Sequence, residues 1–486
     1  MTRRQAWLLA GIIGVAALVR FATLDHQGYD HDEAVTAWRV LHGGLGGTLH
    51  VVASTERSPP LYYLLAWLWS KLFGTGEVGL RSLSALIGTL TVPAAYLAAR
   101  ELSGARAGLV AAALVAVNPY LVWYSQEARS YALFVLFAAW GLYLFVRCLR
   151  DPSPRNLAWW AAASALALCS HYFAAFVVGA EGLWLIARGW PRRAPVLALA
   201  APVAVGLALL PLAIAQEGSG RRNLFTGVPL ARRAAETVFG YIASQEPGPF
   251  AGSAQVRHFR YAVVAGGLVL AAIALALLLR RASDRERRGG LTVAAVAAAA
   301  LALPFALATV GVDYIDPRNL IGSLVPFLVA AAVGFGCARA GRLGVGAAAA
   351  AVALFGLVLV AVFESGQMQR PNWREAAAAM GPPSGPRILV VARNGNEPIA
   401  YYRHAREFRP PHFTGERVDE IDVLSKLHTI TPPGHGFELT RRQGLAPCCV
   451  LWRYTAPRRT LIRPDEVAGT RILAHEPSSV LVEGAR

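Results

Sequence analysis

The sequence predicts a polytopic α-helical membrane protein with about eleven transmembrane helices, followed by a small external α/β domain at the C-terminus. Hydrophobic residues make up 55% of the 486 residues and charged residues only 16%, a composition too apolar for a soluble enzyme. Apolar runs of roughly twenty residues recur as far as Phe363. Beyond Phe363, clustered prolines and an ordinary density of charge indicate a second domain.

The basic residues determine the predicted orientation. The net charge is +17, and fifteen arginines fall in every second turn between apolar runs. By the positive-inside rule these turns and the N-terminus, with Arg3 and Arg4, are cytoplasmic. The arginines on these turns are Arg100, Arg106, Arg147, Arg150, Arg155, Arg188, Arg192, Arg193, Arg280, Arg281, Arg285, Arg287, Arg288, Arg339 and Arg342. We therefore expect a cell (plasma) membrane protein with an extracytoplasmic C-terminal domain, whose positive charge faces membrane lipids rather than nucleic acid.

An acidic cluster, Asp30-His31-Asp32-Glu33, follows the first apolar run and lies outside in this topology. Asp30 and Glu33 have the spacing of a capping box, which predicts a short interfacial helix ending at Gly43-Gly44. One alternative is that the cluster only caps this helix. Capping leaves Asp32 and His31 unused, so we predict a catalytic role for the cluster.

A second segment, Arg57 to Tyr63, precedes an aromatic apolar run that stops at Gly74. Ser58 as N-cap and Pro59 in the first turn predict a helix too short to span, and therefore interfacial or re-entrant. Its N-terminus beside Arg57 suits a phosphate group. The alternative for Tyr62 and the neighbouring aromatic residues is an anchoring belt at the membrane surface.

Three short turns share the predicted outer side with the acidic cluster, so we expect them to converge on one site. They carry Glu127, Arg129, Tyr131, His171, Tyr172, Asp316 and Arg318. Arg318 could hold phosphate oxygens through its planar guanidinium. The alternatives are a solvated turn for Glu127 and Arg129, a satisfied polar group for His171, and an orienting role for Asp316 towards Arg318.

The predicted domains are 1–363, with an external loop at 25–80, and 364–486. A further external loop, 216–260, carries six arginines and either folds over the site or is simply solvated: Arg221, Arg222, Arg232, Arg233, Arg257 and Arg260. In the C-terminal domain we predict strands at 388–392, 449–454 and 479–483 and a helix at 398–404. This domain either selects the acceptor, contacts a partner or covers the site.

The order of several motifs carries a family resemblance. Asp-Glu after the first apolar run is followed by Pro-Pro-Leu-Tyr-Tyr, Leu-Arg-Ser-Leu-Ser-Ala-Leu-Ile-Gly, Tyr-Ser-Gln-Glu-Ala-Arg-Ser-Tyr and Asp-Pro-Arg-Asn-Leu. Together they resemble the GT-C membrane glycosyltransferases, most closely glycosyltransferase family 39, which contains protein mannosyltransferases and lipid A aminoarabinose transferases. The resemblance is strongest from Asp25 to Tyr143.

The resemblance implies an enzyme of the cell envelope that moves a hexose or pentose, with inversion, from a polyprenyl-phosphate carrier to an external protein, lipid or glycan. It implies that Asp32 and Glu33 are catalytic, with Asp32 as base, and that Glu127 is a second acidic position. Arg57, Ser58, Tyr62, Arg129 and Arg318 are the candidate donor-binding residues. Ser58 departs from the family, which often has His or Lys there, so Arg57 or Arg318 would supply the phosphate contact.

Carboxylate oxygens also suit a divalent ion bridging Asp32, Glu127 and phosphate, although the spacing demands no metal. The competing class is a lipid or polysaccharide transporter or flippase. Transporters place ionisable residues near the bilayer midplane and often carry internal repeats. The polar clusters here lie at the ends of the predicted spans on one side, which favours the enzyme. A third possibility is an inactive relative that binds the acceptor.

Overall fold

The computed structural model describes residues 2–189, 191–217, 227–245, 252–427, 429–434, 436–445, 448–467, 472–473 and 477–484. The chain forms two compact units. The first, here called the membrane unit, contains Met1–Leu24, Gly43–Gly74 and Val78–Met368. The second, called the C-terminal unit, contains Asp25–His42, Thr75–Glu77 and Gln369–Arg486. Residues 25–42 therefore pack with the end of the chain, whereas the predicted boundaries place them with the membrane helices.

Long apolar helices build the membrane unit and confirm the predicted class. Among the described residues, eight helices are long and apolar enough to cross a membrane, and a bent pair makes nine. Two further apolar helices, α9 and α10, have 17 and 16 residues. If α9 and α10 also cross the membrane, the number of spans is the predicted eleven. The number of spans therefore stays a prediction. The helices longer than ten residues in this unit are α1 (Arg3–Phe21), α3 (Leu45–Thr55), α4 (Leu61–Phe73), α5 (Glu77–Ser103), α6 (Ala105–Val117), α8 (Tyr131–Arg150), α9 (Pro154–Ser170), α10 (Ala174–Gly189), α11 (Ala194–Glu217), α12 (Leu230–Ala243), α13 (Ala254–Arg280), α14 (Asp284–Thr309), α15 (Leu324–Gly336) and α16 (Gly341–Glu364).

The short elements after α1 differ in part from the prediction. The capping box is confirmed, because Asp30 accepts from the Glu33 N–H and Glu33 accepts from the Asp30 N–H at the start of α2 (His31–Val35). A π-helix, Thr36–Val40, then continues the chain. Helix α4 begins at Leu61 with Pro60 as N-cap, so the predicted start at Ser58 and Pro59 is wrong. The Ser58 hydroxyl instead lies 3.2 Å from the Tyr63 hydroxyl.

The bent pair consists of α6 and α7 (Pro119–Ser125), which meet at an angle of 57°. Pro119 has no N–H to donate to the preceding turn, so carbonyl groups at the end of α6 lose their helical partners. The buried Arg20 of α1 replaces those partners: it donates to the carbonyls of Ala116 at 2.7 Å and Val115 at 3.1 Å. A buried arginine in the first span thus stabilises the break.

Helix α12 comes from the predicted external loop at 216–260, of which Arg221 and Arg222 lie outside the described residues. Its buried Arg233 donates to both carboxylate oxygens of Asp313, at 2.7 and 2.6 Å. Its Tyr241 hydroxyl lies 2.8 Å from Ser323 Oγ. The loop therefore contains a helix fixed to the segment that leads into α15, rather than being wholly solvated.

Within the described part of the C-terminal unit, six strands form the sheet at its core, in the order β2-β6-β1-β3-β5-β4. Strands β1 and β3 are parallel and the other neighbours are antiparallel. The helices of this unit, besides α2, are α17 (Trp373–Ala379) and α18 (Asn396–Arg403). The strands are β1 (Arg387–Ala392), β2 (Arg406–Glu407), β3 (Glu416–Ser425), β4 (Glu438–Leu445), β5 (Cys449–Ile462) and β6 (Ser478–Glu483).

The predicted strands correspond to β1, β6 and the first half of β5, and the predicted helix to α18. Strands β3 and β4 were not predicted, because their alternation is interrupted by charged side chains. At the centre of the sheet Arg387 is fully buried, and it forms ion pairs with Glu420 at 2.7 Å and Glu483 at 2.6 Å. Cys448 and Cys449 form a disulfide with each other, although their adjacency does not favour such a bond.

Candidate active site

The acidic cluster belongs to the C-terminal unit, and its three carboxylates have different environments. Glu33 is fully buried and takes part in the capping box, and Asp30, which is partly exposed, takes part in the same capping box. Asp32 is partly exposed in the first turn of α2. Asp32 is therefore the partly exposed carboxylate of this cluster that lies outside the capping box, whereas Glu33 is buried within it.

A cation from the far end of the sequence faces this cluster. The Arg370 side chain is 5% exposed, and its Nε lies 3.9 Å from Asp30 Oδ2. Burial, followed by repulsion from Glu33, raises the pKa of Asp30, while Arg370 acts in the opposite direction. Arg370 was not predicted, because more than 300 residues separate it from the cluster.

In the membrane unit, Arg129 is held by a carboxylate that the sequence analysis did not single out. Glu56, at the end of α3, has a side chain 3% exposed and lies 2.7 Å from Arg129 Nη1. The Tyr63 hydroxyl donates to the same carboxylate oxygen as Arg129, at 2.7 Å from Glu56 Oε2. Two charges taken out of water in this way need such additional hydrogen bonds. An acidic residue directly before Arg57 was the signal that could have pointed to Glu56.

A glutamine at the end of α11 connects two of the predicted site segments. Gln216 donates to the carbonyls of Val52 at 3.0 Å and Ser58 at 3.2 Å, and it accepts from the Tyr172 hydroxyl at 2.9 Å. Tyr172 thus fixes the loop before α4 through Gln216. Tyr62 points elsewhere: it is buried with its hydroxyl 3.0 Å from Ser84 Oγ in α5, which is a packing position rather than a donor contact. Arg57 is exposed.

The turn before α15 places a second arginine next to the start of α8. Asp316 caps a 3-10 helix, Pro317–Ser323, and its Oδ2 accepts from Arg318 Nε at 2.7 Å. This geometry gives Asp316 the orienting role. The Arg318 guanidinium lies 5.8 Å from the centre of the Tyr131 ring. The Arg129 guanidinium is at the same distance from the Tyr63 ring.

His171, between α9 and α10, lies beside both arginines. Its ring stacks on Phe134 at 5.2 Å and meets Tyr131 at 5.6 Å. Burial, and then the charges of Arg129 and Arg318, lower the pKa of His171 to about 3. The Phe173 N–H donates to Nδ1 at 3.2 Å, so the neutral ring carries its proton on Nε2. Arg129 and Arg318 therefore carry the positive charge next to His171, and the neutral His171 ring adds none.

The expected convergence of three turns is found within the membrane unit. We call Glu56, Arg129, His171 and Arg318 the arginine cluster, with Tyr131 and Glu127 of the same turns adjoining it; Glu127 is buried. Asp30, His31, Asp32 and Glu33 belong to the other unit. Within the described residues, no three His, Cys, Asp or Glu side chains are grouped to hold a metal ion. A divalent ion at Asp32 and Glu127 stays a prediction.

Comparison with known proteins agrees with this picture. The family model for dolichyl-phosphate-mannose-protein mannosyltransferases matches residues 57–215, about a third of the chain. That stretch includes Ser58, Glu127, Arg129 and His171. No curated protein sequence matches the chain.

Three solved structures illustrate the structural likeness. Apo ArnT from Cupriavidus metallidurans is 14% identical with a TM-score of 0.53, over 82% of this chain and 85% of that one. The same protein bound to undecaprenyl phosphate gives 18% identity and a TM-score of 0.49, over 77% and 69% of the two chains. The S. cerevisiae Pmt1-Pmt2 complex bound to its sugar donor gives 20% and 0.36, over 45% and 34%.

The apo ArnT comparison shows a shared fold, and the family match covers Arg129 and His171 of the arginine cluster, with Glu56 directly before the matched stretch. The remaining member, Arg318, follows in the Asp-Pro-Arg-Asn-Leu motif. The predicted resemblance to the GT-C membrane glycosyltransferases of the family 39 type is thereby confirmed.

Proposed function

We propose that this protein is an inverting glycosyltransferase that moves a mannose-like or arabinose-like sugar from a polyprenyl-phosphate carrier to an acceptor outside the membrane. The observation that carries the proposal is the meeting of Arg129 and Arg318 around Tyr131 and His171. Three separate segments bring two guanidinium groups to one place at the ends of apolar helices. Such a pair suits a phosphate group attached to a lipid.

The chemistry needs a base and a stabilised leaving group. Asp32, the partly exposed carboxylate, accepts the proton of the acceptor hydroxyl as its oxygen attacks the anomeric carbon. The bond from that carbon to the phosphate oxygen breaks on the opposite face. Arg129 and Arg318 then stabilise the charge that develops on the departing polyprenyl phosphate. Neutral His171 contributes an N–H group rather than charge.

The relatives support the donor class. One ArnT structure was determined with undecaprenyl phosphate, and the Pmt1-Pmt2 structure with its sugar donor. The family model is named for transfer from dolichyl-phosphate mannose to protein. We infer that this chain also uses a sugar donor linked to a lipid phosphate. The assay below identifies the sugar and the acceptor.

The test uses membranes that contain the full chain and polyprenyl-phosphate mannose or polyprenyl-phosphate arabinose with a radiolabelled sugar. We expect label to move to protein, lipid, glycan or water, and the product anomer to be inverted. Asp32→Asn keeps the side-chain size and removes the base, so transfer should fall by at least about a hundredfold. Asp284→Asn is the matched control, because Asp284 is an exposed partner of Arg287 at the start of α14.

A second arm addresses the phosphate contact. Arg129→Gln should lower kcat/KM on the order of a hundredfold, since one charged donor to the leaving group is lost. Glu56→Gln should reproduce part of this loss by releasing Arg129.

The following outcomes would contradict the proposal. Unchanged transfer in Asp32→Asn would show that Asp32 is not the base. Scrambling of polyprenyl phosphate across vesicles, without sugar transfer from any donor, would favour the flippase. Repeating the assay with EDTA and then with added Mg²⁺ or Mn²⁺ tests the divalent ion.

A further inference from the structure

Residues 25–42, which carry the acidic cluster, are fixed by contacts from the other end of the chain. Arg374 donates to the carboxylate and the backbone carbonyl of Asp25, each at 2.7 Å. The Arg370 N–H donates to Gln27 Oε1 at 2.9 Å. A Cβ on Gly28 would lie 2.8 Å from Arg374 Cβ, so the two segments approach each other closely.

Helix α18 supplies the contacts on either side of α2. Its Tyr402 hydroxyl accepts the Tyr29 N–H at 2.7 Å, just before the capping box, and donates to Glu77 at 2.6 Å. Its Tyr401 ring packs edge-on against Tyr29 at 5.3 Å. The same Tyr401 ring meets Trp38, after α2, at 6.3 Å.

The strongest single contact in this set is an ion pair after α2. Arg39 Nε donates to Glu397 Oε2 at 2.8 Å, and Arg39 Nη2 also pairs with Glu397 Oε1. The Glu397 side chain is 5% exposed, and Arg39 has a second partner in Glu407 at 3.1 Å. A bidentate pair with a buried carboxylate fixes orientation as well as distance.

The π-helix brings Arg39 and Trp38 into these contacts. Its wider turn, closed by the Leu41 N–H bonding to the Thr36 carbonyl at 3.0 Å, adds one residue to the helical register directly after α2. Such insertions rotate the side chains that follow and recur at functional sites. The segment is thus held before and after α2 by one short helix, α18.

We propose that the C-terminal α/β unit positions the helix that carries Asp32, with Arg39, Glu397 and Tyr402 as the positioning residues. The part concerning Asp32 rests on the proposed function. A base must be held within a fraction of an ångström of its productive place, and a five-residue helix does not hold itself. The unit fulfils this requirement with α18, through contacts that depend on side chains far from Asp32 in sequence.

The first experiment does not depend on activity. Hydrogen exchange is followed by mass spectrometry in the detergent-solubilised full chain and in Arg39→Gln, Arg39→Lys and Tyr402→Phe variants. We expect exchange of residues 29–42 to rise at least about tenfold in Arg39→Gln and Tyr402→Phe, with partial recovery in Arg39→Lys. Arg409→Gln is the matched control, because it removes the other ion pair of Glu407 without touching this segment. Unchanged protection of 29–42 in both disruptive variants would overturn the anchoring.

The second experiment separates positioning from general stability. In the transferase assay Arg39→Gln should lower kcat about ten- to a hundredfold, while the donor KM stays within twofold and the melting temperature stays near that of wild type. Arg39→Lys should recover part of kcat. Wild-type kcat in Arg39→Gln, despite loosened residues 29–42, would refute positioning. If wild type transferred sugar from none of the polyprenyl-phosphate donors, the proposed function would be refuted. The exchange experiment would still show whether α18 anchors residues 29–42.

Discussion

At the residue scale, the sequence was most informative where a group and its partner lie close in the chain. The Asp30–Glu33 capping box and the Asp316–Arg318 pair are spaced by three and two residues, and both occur in the structure. Glu56 and Arg370 were not singled out, since their partners Arg129 and Asp30 are distant in sequence. Side-chain pairs formed by tertiary packing leave no periodic signal.

His171 gives a residue-scale prediction about pH. Its folded-state pKa of about 3 lies below the unfolded value near 6.5, so between these values the unfolded chain binds a proton that the folded chain does not. The folded state should therefore lose stability as pH falls below about 6.5, by up to about 1.4 kcal/mol per pH unit. Melting of wild type and His171→Gln between pH 7.5 and 5 measures this.

Acidification should destabilise wild type more than His171→Gln. The comparison is made between variants because Asp30, with a raised pKa, contributes with the opposite sign in both proteins. An equal loss of melting temperature in the two proteins would mean that His171 is protonated in the folded state. The proposed phosphate site would then contain a third cation.

At the scale of elements, apolar helices were predicted well because one physical signal defines them, whereas broken and short elements were not. The break between α6 and α7 follows from Asn118-Pro119, but its stability depends on Arg20, which lies on another helix. The start of α4 was misplaced because Ser58 bonds to Tyr63 instead of capping the helix. The charges of β3 pair with Arg387 of β1, and Arg442 of β4 lies over the Trp452 ring of β5.

The packing of α5 against α7 yields an element-scale prediction. A Cβ on Gly88 would lie 2.1 Å from Ser125 Oγ and 2.6 Å from Ser125 Cβ, so Gly88→Ala must displace the end of α7. This end leads directly to Glu127 and Arg129. We expect Gly88→Ala to destabilise the membrane unit by about 1–3 kcal/mol and to lower transfer, as overpacking does.

The added Ser125→Gly change removes both clashing atoms and should restore part of the loss. Gly206→Ala, on α11, is the control, because a Cβ at Gly206 meets no atom within 4 Å. Thermal melting and transfer rates of wild type and these three variants test the prediction. Equal effects of Gly88→Ala and Gly206→Ala would show that the close approach of α5 and α7 is not needed.

At the scale of the whole molecule, the structural class was predictable from the sequence, whereas the membership of the two units was not. Residues 25–42 adjoin α1 in sequence, so a linear reading assigns them to the membrane helices. Their partners, however, are residues 369–407, and these contacts are visible only after folding. The motifs that contain Asp32, Arg129, His171 and Arg318 were visible in the sequence, whereas the role of Glu56 as partner of Arg129 and the unit that carries Asp32 were not.

Because residues 25–42 belong to the C-terminal unit, the buried ion pairs of its sheet give a prediction for this segment as well. Arg387 is fully buried between Glu420, Asp422 and Glu483, so Arg387→Met removes the cation that these three carboxylates share. Arg453 and Arg403 remain as second, more exposed partners. Breaking a buried pair in this way costs about 3–5 kcal/mol of the free energy of unfolding. Arg459→Met, which changes a half-exposed arginine of the same sheet, should cost much less.

Residues 25–42 should follow the sheet when Arg387 is replaced. Because these residues fold as part of the C-terminal unit, hydrogen exchange in Arg387→Met should rise together in β1 and in 25–42. Exchange in α8 and α15, in the membrane unit, should stay at the wild-type level. Protection of 25–42 that persists while β1 exchanges would show that the segment is held without the sheet. Loss of protection in both would mean that a substitution far from Asp32 in sequence removes the support of the proposed base by unfolding the unit that holds it.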